Sequence, residues 1–171
     1  MRRFPWFIGG MSEAAISDST PVLLGLEAAN ELGVIEQLTQ ALANRTEVRD
    51  TRELQRAVLE RQKLQPPLLA NGIALPHART AAVTGLVVAV GRCREPVPFG
   101  PERVLIRLIF LYGVPTRGIS EYLDSVAQLM RVLKNPATLA ALLTTTDEAD
   151  FRRHLPYANL ALPGRQTHPT A

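Results

Sequence analysis

Between residues 22 and 143 the apolar residues change period repeatedly, from short unbroken runs to helical spacing and back. Alternation of strand-like and helix-like segments reads as a sheet covered by helices. The runs lie at residues 22–26, 73–75, 86–90 and 104–111, the last two rich in β-branched residues. Leu32, Ile35, Leu38 and Leu42 recur at helical spacing over about residues 29–43. Asp50 with Glu53 forms a capping box for a second helix that reaches about Lys63 and is stopped by Pro66 and Pro67. A longer helix is predicted over about residues 120–134, with Leu123, Val126, Met130 and Leu133 on one face. Asn135 and Pro136 restart a helix to about Leu143, and Thr145 with Glu148 opens a final short one. The fold class is α/β: a single-domain mixed β-sheet flanked by helices.

With 171 residues, 46% apolar and 20% charged, the chain can bury one core without disulfide staples. Residues 20–155 are expected to form it. Residues 1–19 read as a flexible leader, with Met11 as an alternative start, and residues 156–171 as a flexible tail. Arg2 and Arg3 precede an apolar stretch, but Pro5 and Gly9-Gly10 interrupt it and leave it short for a secretory core. No segment approaches the length of a membrane-spanning helix. Cys93 is the only cysteine, so a reducing compartment is expected and the location reads as cytoplasmic. Its neighbours Arg92 and Arg94 are of the kind that lower a thiol pKa; the plainer alternative is an ordinary residue at a strand end. The net charge is only +3, and the arginines behind the pI near 9.5 are scattered, without a basic stripe or stacked aromatics. Nucleic-acid binding is therefore not expected.

Three histidines are present, and His154 and His168 have the contexts of solvated surface residues. His77 differs. It ends the stretch Asn71-Gly72-Ile73-Ala74-Leu75-Pro76-His77, with small residues nearby that let other groups approach its ring. Near neutral pH an imidazole can present an unprotonated nitrogen as a nucleophile. Arg61 sits three residues after Val58 and seven after Leu54, on the apolar stripe of the second helix. Two readings fit that position. The guanidinium can bond the last carbonyls of its own helix, or it can point across the sheet edge to an anion such as phosphate.

The segment from Arg61 to Arg79 resembles the signature of the type 2 enzyme IIA domains of the bacterial sugar phosphotransferase system. This is the mannitol-fructose group with its nitrogen-regulatory relatives. Gly72-Ile73-Ala74-Leu75-Pro76-His77 and the spacing of sixteen (77 − 61) carry the resemblance, which extends over roughly residues 20–155. It implies that His77 is the phosphoryl acceptor, through its Nε2 nitrogen, with Arg61 offsetting charge on the phosphoryl oxygens. It also implies a histidine phosphocarrier protein, HPr, as donor and an enzyme IIB as acceptor, with neither metal nor organic cofactor. A regulatory module that docks on a transporter or kinase according to its phosphorylation state is the alternative. The family's Ser-Thr pair is replaced here by Pro66-Pro67, and the turn that follows reads Leu68-Leu69-Ala70. The family's second histidine matches Tyr122, whose hydroxyl can bond a phosphoryl oxygen or the imidazole but cannot carry positive charge. Tyr122 reads equally as a half-buried aromatic at a helix start.

Overall fold

A computed structural model describes residues 16–155. The leader and alternative start within residues 1–15, the tail from residue 156, and His168 lie outside the described residues. The described elements run β1 (Val22–Leu26), α1 (Glu31–Ala41), α2 (Thr51–Leu64), β2 (Leu68–Leu69), β3 (Ile73–Ala74) and β4 (His77–Arg79). They continue with β5 (Val87–Phe99), β6 (Val104–Val114), α3 (Ile119–Leu133), α4 (Pro136–Thr144) and α5 (Glu148–Arg153).

One mixed sheet has the order β1-β5-β6-β3-β2, and β4 also pairs with β6. The long β5–β6 hairpin is antiparallel and forms the centre. β1 is parallel to β5, while β3 and β4 are parallel to β6. Along β6, Ile106, Ile109 and Leu111 enter a core cluster with residues of α1 and α2. Leu108, Phe110 and Tyr112 enter a second cluster with Leu129, Leu142 and Phe151 from α3, α4 and α5. Helices thus cover both faces, which is why these strands read as unbroken apolar runs rather than as alternation. Ile16, ahead of the boundary expected at residue 20, is 2% exposed and belongs to the second cluster.

Several local readings are corrected by contacts that sequence spacing does not show. The Asn30 side chain caps α1 by accepting from the Gly33 amide, so Leu32 faces solvent while Val34 is buried. On α3 the buried face runs through Ser125, Leu129 and Leu133, and Leu123 points outward. The Tyr112 hydroxyl meets Ser125 Oγ at 3.2 Å, so a polar residue is satisfied on the inner face and the apolar stripe is rotated. The cap of α5 is Asp147, which accepts from the Asp150 amide, whereas Thr145 donates its hydroxyl to the Asp150 carboxylate. The strand expected to end at Val90 continues to Phe99 through a bulge between Arg92 and Val97, where prolines are tolerated. Cys93 is therefore inside a strand and fully buried. Burial pushes its thiol up to about 11, so the flanking arginines do not activate it.

Candidate functional site

Pro76 organises the site locally. It has no N–H with which to extend the β3 ladder, yet its carbonyl accepts from the Tyr112 amide at 2.9 Å. The chain then re-enters the sheet edge as β4, with His77 opposite Tyr112 and Ala78 opposite Gly113. Nδ1 of His77 lies 2.9 Å from the Leu75 carbonyl oxygen. A carbonyl can only accept, so Nδ1 carries a proton and donates, and in the neutral tautomer this selects the lone pair lies on Nε2.

The helix α2 packs close over the sheet here. A Cβ on Gly113 would lie 2.7 Å from Val87 Cγ2 and 3.1 Å from Leu54 Cδ1, so a larger residue would have to push these side chains aside. Leu54 and Val58 are fully buried, and Arg61 follows one turn later. Its Nη1 donates to the Gln65 carbonyl at 3.1 Å, as the helix-end reading expects. The same side chain lines a cleft of about 480 Å³ together with His77, Arg79, Ile119 and Tyr122. The two readings of Arg61 are thus compatible: one N–H holds its own helix end, and the guanidinium still faces the cleft.

From the other face of the sheet, α3 brings Tyr122, whose ring centre is 5.3 Å from that of His77. Tyr112 supports it from below, edge-on, also at 5.3 Å. Burial raises the Tyr122 hydroxyl pKa and the Arg61 charge opposes that rise, so the phenol remains a neutral donor at neutral pH. Gly118, at φ 124°, opens α3 with no side-chain cap. The first-turn amides therefore add positive potential where Ile119 and Tyr122 meet the cleft. Glu60, also at the cleft, is paired with Lys63 at 2.9 Å, which holds its carboxyl below the usual range.

The structure brings His77, Arg61 and Tyr122 to one cleft. Pro66 and Pro67 do not line it. The Pro67 carbonyl instead accepts from the Leu75 amide at 2.9 Å, and Leu68–Leu69 pairs with β3. Sequence reasoning assigned no role to Arg79, although strand alternation puts it on the face of His77. It also missed Leu64, which is 81% exposed beside the cleft. His154 is engaged elsewhere, with Nδ1 2.9 Å from the Asp150 carbonyl. Among the described residues no group of three His, Cys, Asp or Glu could hold a metal ion, and no helix is long and apolar enough to cross a membrane.

Comparison with known proteins gives this geometry a context. Residues 16–157 match a family model described as phosphoenolpyruvate-dependent sugar phosphotransferase system, EIIA 2. The transcriptional regulator ManR of Bacillus subtilis is 29% identical over 83% of this chain, which spans only 22% of that protein's length. Nitrogen regulatory protein IIA-Ntr from Neisseria meningitidis superposes with a TM-score of 0.70 at 27% identity, covering 80% of this chain and 92% of that one. A chain of the complex of enzyme IIAMTL and phosphorylated enzyme IIBMTL from Escherichia coli has a TM-score of 0.69 at 24% identity, covering 81% and 95%. That last likeness is one of fold.

Proposed function

Since the chain belongs to the EIIA 2 family of the phosphoenolpyruvate-dependent sugar phosphotransferase system, we propose that it carries a phosphoryl group on Nε2 of His77 between two protein partners. The observation that carries this reading is the hydrogen bond from Nδ1 to the Leu75 carbonyl, 2.9 Å long. It selects the tautomer in which Nε2 is the nitrogen able to attack, in a cleft shared with guanidinium groups. The donor is an HPr-like phosphocarrier, itself phosphorylated on histidine, and the acceptor is an enzyme IIB. Nε2 attacks phosphorus in line. The new N–P bond forms as the donor's N–P bond breaks, and its electron pair stays on the donor nitrogen. The Nδ1 proton remains on the ring, held by Leu75, so the phosphorylated imidazole is cationic and primed for the second transfer.

Positioning and charge compensation dominate such transfers. The Arg61 fork meets the equatorial oxygens, and the neutral Tyr122 hydroxyl donates to one of them. Leu64 and Ile119, 81% and 46% exposed at the cleft, supply an apolar rim for the partner proteins. A carrier of this kind would work in the cytoplasm, the compartment expected from a single buried thiol. Incubation with enzyme I, HPr and phosphoenolpyruvate tests the reading. Acid-labile label on the wild type and none on His77→Ala is expected, whereas equal label on both would exclude His77.

The likeness to IIA-Ntr, which covers 92% of that chain, favours a second reading: a regulatory module whose docking depends on phosphorylation. It predicts label on His77 that no enzyme IIB accepts, with binding to a transporter or kinase that changes on phosphorylation.

A further inference from the structure

We propose that Arg79 is a second phosphoryl-binding residue, one that exchanges a backbone carbonyl for phosphoryl oxygens when His77 is phosphorylated; this rests on the carrier reading above. Arg79 stands two residues after His77 on β4, on the same outward face, and lines the same cleft. Its Nε donates to the Thr116 carbonyl at 3.0 Å, and its Nη2 donates to the same oxygen. Among the described residues no carboxylate pairs with it. The guanidinium is therefore held by a neutral acceptor in an exposed loop. A phosphoryl group on Nε2 brings close to two negative charges into the cleft. An ion pair with phosphoryl oxygens adds charge attraction and a bidentate geometry that the single neutral carbonyl lacks, so the exchange is favourable.

The chemistry of the lining points the same way. Tyr122 carries the only hydroxyl among the described residues that line the cleft. A phosphoryl group offers three oxygens, and Arg61, Tyr122 and Arg79 are the side-chain donors there, besides His77 itself, that can meet them. The exchange has a mechanical consequence. Thr116 lies in the connection from β6 to α3, two residues before Gly118, the φ 124° hinge of that helix. Releasing Thr116 frees the segment that carries Ile119 on the rim, so the docking surface registers whether His77 is loaded.

The test uses the full chain, labelled with nitrogen-15 and phosphorylated by phosphoramidate, which needs no protein docking. In that reaction the donor P–N bond breaks, ammonia leaves with the electron pair, and Nε2 bonds to phosphorus. The Arg79 Nε–H resonance and the Arg117 amide, which follows the Thr116 carbonyl, are expected to shift on phosphorylation. Arg79→Gln should be phosphorylated about tenfold more slowly and lose the Arg117 shift, and Arg79→Lys should recover part of the rate. A purely structural tie to Thr116 would move the Arg117 amide in unphosphorylated Arg79→Gln but leave both resonances still when the wild type is loaded. Unmoved resonances in the loaded wild type, or a wild-type rate for Arg79→Gln, overturn the proposal. Failure of wild-type His77 to accept any phosphoryl group would instead remove the carrier reading, and this inference with it.

Discussion

The Leu75 carbonyl accepts from Nδ1 of His77, so in the proposed transfer the residues around Nε2 need only meet the charge that arrives there. Arg61 supplies a full charge and Tyr122 a dipole, and their removal should differ accordingly. Arg61→Ala is expected to slow phosphoryl acceptance from HPr by on the order of a hundredfold or more, the usual loss when a donor aimed at developing charge is removed. Its thermal midpoint should move by only a few degrees, because the exposed guanidinium gives up one bond to Gln65. Tyr122→Phe keeps the ring contacts with His77 and Tyr112 and loses only the hydroxyl, so a drop of about tenfold is expected. Single-turnover kinetics on both variants measure these, and equal losses would mean that the hydroxyl contributes as much as the guanidinium. That His77 and Arg61 would share one cleft was legible in the sequence, because their spacing and the Pro-His junction are local. The tie of Arg79 to Thr116 was not, since it joins residues thirty-seven positions apart.

At the scale of elements, capped helices and apolar runs announced themselves, while β2 and β4, two and three residues long, are too short to leave a pattern. The rotation of α3 was illegible for another reason: it depends on Tyr112 meeting Ser125 across thirteen positions. The burial of Tyr112 in that face makes a pH prediction, although its bond to Ser125 opposes the shift. Burial pushes Tyr112 up to about 12 and Cys93 up to about 11. In the unfolded chain these groups ionise near their ordinary values, about 10 and 8.5. The folded state therefore holds more protons in alkali. Its stability is full below the unfolded values and is lost as pH rises through them towards 11 and 12. Tyr112→Phe removes one of these titrations. Between about pH 10 and 12 its urea midpoint should fall less steeply than that of the wild type, though it starts lower at pH 7 because Ser125 loses its partner. Parallel slopes would show that Tyr112 ionises in the folded protein as readily as in the unfolded chain.

Across the whole molecule, a two-faced sheet sets one helix end on each side of the β4 edge. Arg61 and Leu64 come from α2, and Ile119 and Tyr122 from α3. The His77 ring and the exposed apolar side chains thus share one edge of the sheet, which suits transfer between proteins better than capture of a small substrate. Leu64→Ser should raise KM for the protein donor about tenfold with little change in maximal rate, since the side chain is 81% exposed and supports no core. An unchanged KM in steady-state assays would move the docking face elsewhere. On the proposed reading, Nε2 of His77 is the phosphoryl acceptor because Nδ1 is tied to Leu75. Long-range proton–nitrogen NMR correlations of the imidazole, recorded before and after phosphorylation by HPr, read this directly. A proton on Nδ1 in the free protein and phosphorus on Nε2 afterwards are expected. Phosphorus on Nδ1, or on any residue other than His77, would contradict it.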